Sequence, residues 1–319
     1  MDDQEFQIYD VTAWRRVDDE TLGTKEKFWV QDAKGQRWLF KFSRRFSKRT
    51  GATNIVGDDW AEKIASRIAA LLNLPHATVE LASYCGAPGV ISLDFTERTT
   101  RGELVLGNRL LLEQDPSYPS GESFRVAQHT IQKVYAVLSD PAITLPQNLS
   151  TALEVSSPPA LFAGYLLLDA IISNQDRHHE NWGVLRCGAG NSGSMRAVLA
   201  PTFDHASSLG GNLTDEERGE RLDTHDAGRT VSAFVRRARS ALYEQGGTRP
   251  LTTVDAFLSM ARLAGAEDYW ARALKRVDDD CVWREAIAPV PGARMSERAR
   301  QFAQAMVRCN VVAIRSALQ

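Results

Sequence analysis

The chain has 319 residues, 43% of them hydrophobic and 24% charged, a composition typical of a globular protein with one large domain or two lobes. Its formal net charge of -2 gives no general attraction to nucleic acid or to an anionic membrane, so we expect neither partner. The four cysteines form no CxxC pair, which argues against a zinc ribbon or disulfide framework and favours the cytoplasm. The acidic N-terminus lacks the apolar core of a signal peptide, and the longest apolar run is shorter than the ~20 residues of a membrane span.

The first third of the chain has the pattern of β-strands. A turn signal at residues 33–36 lies between two apolar segments and predicts a β-hairpin. In the second segment, residues 38–42, the aromatic side chains share one face, and Lys41 projects from the other. Lys41 is either a solvated strand lysine or a lysine that contacts ATP phosphates. Its position favours the second interpretation, because a helix with a candidate ion-pair partner follows.

That helix is predicted over residues 60–72, where apolar side chains recur at helical spacing. Two aspartates, Asp58 and Asp59, precede it where the helix dipole favours negative charge. Glu62 lies beside the apolar stripe in the first turn. It is either a surface glutamate favoured by the dipole or the partner of Lys41.

A short loop before the hairpin, residues 21–27, contains Gly23 and Thr24. A loop of this kind either makes an ordinary turn or covers nucleotide phosphates with its backbone amides. A single glycine does not separate these two interpretations. The second makes Gly23 and Thr24 candidate nucleotide-binding residues.

Farther along the chain, strands are predicted at 77–83 and 89–95, with a turn at 86–89 between them, and the Pro- and Ser-rich segment 115–121 marks a lobe boundary. Helical patterns then dominate, at 123–138, 158–173, 229–244, 252–264, 267–276 and 295–318. We interpret segment 205–228 as an activation segment or substrate platform. The predicted strands come first in the chain and the predicted helices follow. This order predicts an α+β chain with two lobes: a β-rich N-lobe with one main helix (1–115) and a mostly helical C-lobe (116–319). Ligands often bind in a cleft between lobes.

The polar stretch at residues 174–181 follows the apolar helix predicted at 158–173 and precedes a predicted hairpin. Folding this hairpin about Asn191 places residue 201 opposite Asn181. Asp204 then lies near Asn181 in space, and Asp176 comes just before the first strand. Three side chains that carry oxygen are therefore expected to converge.

This convergence predicts phosphoryl transfer. Asn181 and Asp204 supply hard oxygen ligands of the kind that Mg²⁺ prefers together with ATP phosphates. Asp176 is then free to accept the proton of an attacking hydroxyl. Two competing interpretations stay open: a transition-metal site built from His178, His179 and Glu180, and a buried polar loop with a purely structural role.

The loop also resembles known kinases. Asp176-Arg177-His178 followed by Asn181 resembles the DRHxxN catalytic loop of phosphoinositide 3-kinase-like kinases. With Asp169 and Asn174 before it, and with Phe203-Asp204 and Ser208 after it, the pattern resembles the HipA-like serine/threonine kinases more closely. The resemblance extends from about Gly23 to Ser208 and implies a bilobal protein-kinase-like fold that binds ATP and Mg²⁺.

The resemblance also implies a role for each matching residue. Asp176 corresponds to the catalytic aspartate, and His178 to a residue that orders the loop or stabilises transition-state charge. Asn181 and Asp204 correspond to the metal ligands, and Lys41 to the lysine on the ATP phosphates. Arg177 is either structural or a phosphate contact. Autophosphorylation in the phosphate-covering loop of this family makes Thr21 and Thr24 candidate phosphosites.

The resemblance implies a protein substrate and serine/threonine kinase activity. The chain begins almost directly with the predicted N-lobe, so the subdomain that precedes this lobe in full-length HipA-like kinases is not expected. Both a toxin-type kinase with an antitoxin-type partner and a solitary kinase stay open. A small-molecule or lipid-headgroup kinase, and a pseudokinase that serves as a binding module, also stay open.

Overall fold

The computed structural model describes residues 5–19, 26–46, 51, 53–96, 102–147, 149–187, 196–277 and 279–319. In chain order its strands are β1 (Ile8–Asp10), β2 (Arg15–Asp19), β3 (Lys27–Gln31), β4 (Arg37–Phe42), β5 (Arg44–Phe46), β6 (Thr53–Ile55), β7 (Val79–Tyr84), β8 (Ala87–Leu93), β9 (Glu103–Leu106), β10 (Ile143–Thr144), β11 (Gly183–Cys187) and β12 (Arg196–Leu199). Its helices are α1 (Asp58–Leu71), α2 (Gly107–Gln114), α3 (Ile131–Leu138), α4 (Pro158–Ile172), α5 (Asp215–Asp223), α6 (Val231–Val235), α7 (Thr253–Leu263), α8 (Glu267–Arg276), α9 (Asp280–Ile287) and α10 (Glu297–Ala317). Within these ranges, none of the helices combines the length and apolar character needed to cross a membrane.

The architecture is the expected α+β arrangement, with a β-rich N-terminal part and a helical C-terminal part. The N-terminal sheet has the order β1-β7-β8-β4-β3-β2. The predicted hairpin is present as β3 and β4, which pair antiparallel. On one face of β4 the aromatic side chains pack tightly, with ring centroids 5.2 Å apart for Phe28 and Phe40 and 4.9 Å apart for Phe40 and Phe42. This aromatic layer leaves Lys41 on the opposite face.

The turn between β7 and β8 lies two residues earlier than the sequence pattern suggests. Cys85 and Gly86 both have positive φ angles, 49° and 77°. Two such residues form the tight hairpin turn whose twist matches that of the flanking strands. Pro88 lies within β8, opposite Ser83.

Helix α1 begins at Asp58, two positions before the predicted start, so both aspartates lie in its first turn. Its buried residues, including Trp60, Ile64 and Ile68, belong to the same apolar core as α4 and most C-terminal helices. Gly57, just before the helix, donates its N–H to the carbonyl of Gly211. Helix α1 therefore joins the N-terminal sheet to the rest of the fold.

The helical part is organised around α4, whose residues are buried from Pro159 to Ile172. Ser157 caps its N-terminus and a proline occupies its first position, as the sequence suggested. Helices α7 and α10 pack against α4. A helix without an exposed face is the expected result for a segment that is apolar on all sides.

Two predicted helices are much shorter than expected. Of 123–138 only α3 is helical, starting where the Thr130 side chain caps the N–H of Lys133. Of 229–244 only α6 is helical. Beyond it, Tyr243 pairs with Thr130 in a parallel β-bridge. The apolar side chains of this segment are therefore buried from an extended backbone and not from a helix.

Three helices, α2, α5 and α9, were not predicted. Helix α5 lies inside the segment interpreted as an activation segment and is almost entirely polar, so no apolar stripe marks it. A capping box between Thr214 and Glu217 defines its start. Helix α9 is short and follows α8 closely.

A second sheet has the order β10-β12-β11-β9 and joins strands from both halves of the chain. The predicted hairpin is present as β11 and β12, with Val184 opposite Leu199. Continuing this register places residue 202, not 201, opposite Asn181. Strand β9, which precedes the predicted lobe boundary at 115, pairs with β11.

Candidate active site

The loop at 174–181 starts where α4 ends. Ser173 closes the helix in the left-handed conformation, with φ of 51°. Asn310 of α10 donates from Nδ2 to the carbonyl of Ile171 and to the hydroxyl of Ser173, each at 2.8 Å. The side chain of Asn174 turns back and donates to Asp169 Oδ1 at 2.8 Å. The start of the loop is thus fixed by contacts with α4 and α10.

Arg177 connects this loop to the segment that carries Asp204. Its side chain is fully buried and donates to both carboxylate oxygens of Asp169, from Nε at 2.7 Å and from Nη2 at 2.8 Å. Nη1 donates to the carbonyl of Asn181 at 2.6 Å and to that of Phe203 at 3.5 Å. Of the two roles considered for Arg177, the structure supports the structural one, because no part of its side chain reaches a surface where a phosphate binds.

The hydrogen bonds continue from Arg177 through Thr202 to His205. Arg177 Nη2 donates to the Thr202 hydroxyl at 3.0 Å, and this hydroxyl lies 2.8 Å from His205 Nε2. Because Thr202 accepts from a guanidinium, its own proton is available for the imidazole. Burial lowers the pKa of His205 well below its ordinary value, so the ring is neutral and accepts this proton.

Asp176 projects from the loop with 39% of its side chain exposed. Its backbone N–H donates to Asn174 Oδ1 at 3.2 Å, and the hydroxyl of Ser207 lies 3.4 Å from its Oδ2. It lines a cavity of about 660 Å³. An anchored backbone and an accessible carboxylate suit a group that exchanges a proton with a bound hydroxyl.

His178 lies between two carboxylates of the loop. Its Nε2 is 3.8 Å from Asp176 Oδ1, and its Nδ1 is 3.8 Å from Glu180 Oε2 and accepts from the Glu180 N–H at 3.2 Å. The ring lines the same cavity as Asp176. His178 therefore helps to shape the loop and faces the space where an acceptor would bind.

His179 points into the core. Its Nδ1 lies 2.7 Å from the Tyr118 hydroxyl. Burial lowers the pKa of the imidazole, which is consistent with a neutral ring. The rings of His178 and His179 are 6.3 Å apart and nearly perpendicular. The transition-metal interpretation is disfavoured, since Nδ1 of His179 is held by a hydroxyl inside the protein.

Lys41, Glu62 and Asp204 meet at the cleft side of β4. The ammonium of Lys41 lies 3.3 Å from Glu62 Oε1 and 3.2 Å from Asp204 Oδ1. Burial by itself lowers the pKa of Lys41, but the two carboxylates outweigh it and raise this pKa above its ordinary value. Lys41 is therefore a fixed positive charge that joins β4, α1 and the segment after β12.

Asn181 and Asp204 fit the requirements of a magnesium site. Asn181 Nδ2 donates to the carbonyl of Asp176 at 2.6 Å, which commits the amide nitrogen and leaves the side-chain oxygen for a ligand. Asp204 has a φ of 58°, unusual for a residue other than glycine, and a side chain that is 34% exposed. One amide oxygen and one carboxylate are hard ligands that suit Mg²⁺ when nucleotide phosphates complete its coordination.

Two of the predicted nucleotide-binding residues, Gly23 and Thr24, lie outside the described residues, as does Thr21. Ser208 of the sequence motif is buried, and its hydroxyl donates to the His205 carbonyl at 2.7 Å. The neighbouring Ser207, which the motif does not include, contacts Asp176. No sequence signal distinguished these two serines.

Asp169 is another residue whose importance the motif showed only in part. It appeared in the resemblance, and otherwise only as an interruption of an apolar run. The available signal was a carboxylate inside an otherwise apolar helix, because a buried charge requires a partner. Arg177 is that partner.

Comparison with solved structures identifies the architecture. The chain is similar to the Helicobacter pylori proinflammatory kinase CtkA, with a TM-score of 0.74 and 20% identity over 98% of this chain and 99% of that one. It is also similar to HipA in the Shewanella oneidensis MR-1 toxin–antitoxin complex of HipA, HipB and operator DNA, with a TM-score of 0.50 and 13% identity over 97% of this chain and 70% of that one. The chain has a kinase-like fold. No family model and no curated protein sequence matches it.

These likenesses place the candidate residues on a kinase-like framework. Identities of 20% and 13% establish a shared fold, and they do not carry substrates or partners from one protein to another. The chemistry of the site therefore has to be argued from its own residues. Lys41 contacts both Glu62 and Asp204. Asp176 and Asn181 share a loop, and Arg177 connects this loop to the backbone just before Asp204.

Proposed function

We propose that the protein is an ATP- and Mg²⁺-dependent kinase that transfers the γ-phosphoryl group to a serine or threonine hydroxyl of a protein. The observation that carries this proposal is the contact of Lys41 with both Glu62 and Asp204. In this proposal the contact brings a cation for the nucleotide phosphates next to a carboxylate for the metal ion. Phosphoryl transfer requires mainly such positioning and charge neutralisation.

Each residue of the site has a distinct task in this proposal. Lys41 binds the nucleotide phosphates, and Glu62 keeps its ammonium in place. Asn181 and Asp204 hold Mg²⁺, whose charge offsets that of the phosphates. Gly23 and Thr24 belong to the loop proposed to cover the phosphates.

Asp176 is the proposed catalytic base. As the acceptor oxygen bonds to the γ-phosphorus, the bond from phosphorus to the bridging oxygen breaks and ADP leaves with that electron pair. The hydroxyl proton passes to the Asp176 carboxylate. His178 faces the same cavity and is proposed to keep Asp176 in place and to stabilise negative charge near the acceptor.

The competing functions differ in the molecule that accepts the phosphoryl group and in whether the protein catalyses transfer at all. A pseudokinase is disfavoured because the residues proposed to bind the phosphates, to hold the metal ion and to act as the base are all present in the chain. A small-molecule or lipid-headgroup acceptor is the second candidate. A toxin-type role with an antitoxin-type partner rests only on the likeness to HipA and is a further proposal.

The test is incubation of the purified protein with ATP and Mg²⁺, followed by intact mass measurement and phosphopeptide mapping. We expect the mass of one phosphoryl group to be added per modified site, with Thr21 and Thr24 as the first positions to inspect. The same incubation of Asp176→Asn should give no addition.

Transfer to an added protein or to an extracted lipid, measured with radiolabelled ATP, separates the two acceptor classes. Equal phosphorylation by Asp176→Asn and wild type would contradict the site assignment. Failure of the wild type to bind or consume ATP under any of these conditions would overturn the proposed function itself.

A further inference from the structure

A cavity of about 660 Å³ adjoins the candidate catalytic loop on the side of Asp176 and His178. This volume lies within the range of about 300–1,000 Å³ typical of ligand sites. Its walls come from two separate segments, residues 123–129 between α2 and α3 and residues 239–250 between α6 and α7. Lys41, Glu62 and Asp204 do not line it. The cavity is therefore on the acceptor side of Asp176 and separate from the proposed nucleotide site.

Two arginines line this cavity. Arg125 comes from the first segment and Arg239 from the second, and both are exposed. Among the described residues neither arginine forms an ion pair. Asp176 is the sole carboxylate among the described lining residues, so the cavity carries more positive than negative charge. Arg125 is held in the left-handed backbone region, with φ of 58°.

A buried polar group without a hydrogen-bond partner among the described residues lies beside the cavity. The hydroxyl of Ser240 is buried, and it has no hydrogen bond to any described residue. Ser240 lines the cavity beside Arg239. An unsatisfied buried hydroxyl is unfavourable, and a ligand that hydrogen-bonds to it removes that cost.

One exposed aromatic residue completes the lining. Phe124 is 68% exposed, and its ring packs edge to face against His178 with centroids 6.3 Å apart. Exposed aromatic side chains next to cationic ones are common where an extended chain binds. A compact free anion would leave the exposed ring of Phe124 without a contact.

From these observations we propose that the cavity binds the phosphoacceptor as a peptide segment in which acidic residues flank the acceptor serine or threonine. This inference rests on the proposed kinase function and adds the substrate class. Arg125 and Arg239 pair with the flanking carboxylates, and Phe124 packs against one of the peptide side chains. The arginines also offset the repulsion between an acidic peptide and the Asp176 carboxylate.

The test compares matched peptides that carry one serine flanked by glutamate, by glutamine or by lysine. For the wild type we expect kcat/KM to be about fivefold or more higher for the glutamate peptide than for the glutamine peptide. In the double variant Arg125→Ala/Arg239→Ala this ratio should fall to about one. Arg272→Ala, which removes the same charge from an exposed position on α8, should keep the wild-type ratio.

A charge-reversed variant distinguishes a loss of peptide preference from a loss of folding. Arg125→Glu/Arg239→Glu should prefer the lysine peptide, a gain that an unfolded protein cannot show. Equal rates for all three peptides in a wild type that autophosphorylates would overturn the inference and leave the kinase function standing. Phosphorylation of a small anionic molecule but of no peptide would also overturn it. A wild type that does not consume ATP would overturn both.

Discussion

The guanidinium of Arg177 binds both oxygens of the Asp169 carboxylate, at 2.7 and 2.8 Å, in a part of the core without solvent exposure. The pair connects the last turn of α4 to the candidate catalytic loop. A buried ion pair contributes little net stability, because both charges lose their hydration. The pair instead fixes the position of the loop, since the same guanidinium also donates to the backbone carbonyls of Asn181 and Phe203.

Arg177→Met should lower the free energy of unfolding by about 3–5 kcal/mol, because Asp169 is left as an uncompensated buried charge. Arg186→Met is the matched control, since Arg186 also binds a carboxylate, that of Glu113, but near the surface. That change should cost no more than about 1 kcal/mol. Urea denaturation of both variants measures the difference, and equal costs would contradict the proposed anchoring role.

Asp176→Asn should lower kcat for phosphoryl transfer by about 10²-fold or more, because the amide cannot accept the hydroxyl proton. The change preserves shape, so ATP affinity should stay close to that of the wild type. Asp268→Asn removes an exposed carboxylate from α8 and should leave both quantities unchanged. Radiolabel transfer and a nucleotide titration measure them. Undiminished transfer by Asp176→Asn would rule out its role as the base.

Asp204→Asn should remove most of the Mg²⁺ dependence of nucleotide binding. The neutral amide is a weaker magnesium ligand than a carboxylate, and it no longer balances the charge of Lys41. We expect the Mg²⁺-dependent part of ATP affinity to fall by about tenfold or more. Titration with ATP in the presence of Mg²⁺ and of a chelator measures this, with Asp223→Asn as an exposed control. An unchanged response to Mg²⁺ would place the metal elsewhere.

The stability of the fold should decrease as the pH falls below about 6.5, because His129 is buried in neutral form. Its Nε2 accepts from the Trp182 indole at 3.1 Å, so its Nδ1–H donates to the Ala241 carbonyl at 3.0 Å. Burial, with a smaller effect of His179, lowers the pKa of His129 to about 3. The unfolded chain therefore binds more protons between these two pH values, and lowering the pH favours unfolding.

His129→Gln should weaken this pH dependence, since glutamine can both accept and donate but does not bind a proton. Between about pH 6.5 and pH 5 the loss of unfolding free energy should be about 2 kcal/mol smaller than in the wild type. His225→Gln, at an exposed position, is the matched control. Denaturation at several pH values gives the slopes. Identical slopes for His129→Gln and wild type would show that His129 is not the titrating group.

Much of the fold was predictable from local patterns of apolar, polar and turn residues in the sequence. The β3–β4 hairpin followed from a turn signal between alternating segments, and α4 from an apolar run with a serine and prolines at its start. The errors came where tertiary contacts outweigh local preference. Residues after Val235 have apolar spacing that suits a helix, but their backbone pairs with distant segments around Thr130 and Thr252. Helix α5 has no apolar stripe and so gave no signal.

By itself, the sequence determined the kinds of side chain available for chemistry and their order: a strand lysine, a helix glutamate, and a loop with Asp176 and Asn181 ahead of Asp204. Only the tertiary structure decided that Lys41 contacts both Glu62 and Asp204, 21 and 163 positions away in the chain. It also decided that Arg177 is buried and that Arg125 and Arg239 face one cavity. Such contacts depend on how the sheet and helices pack, and no local pattern records the distance between residues far apart in sequence.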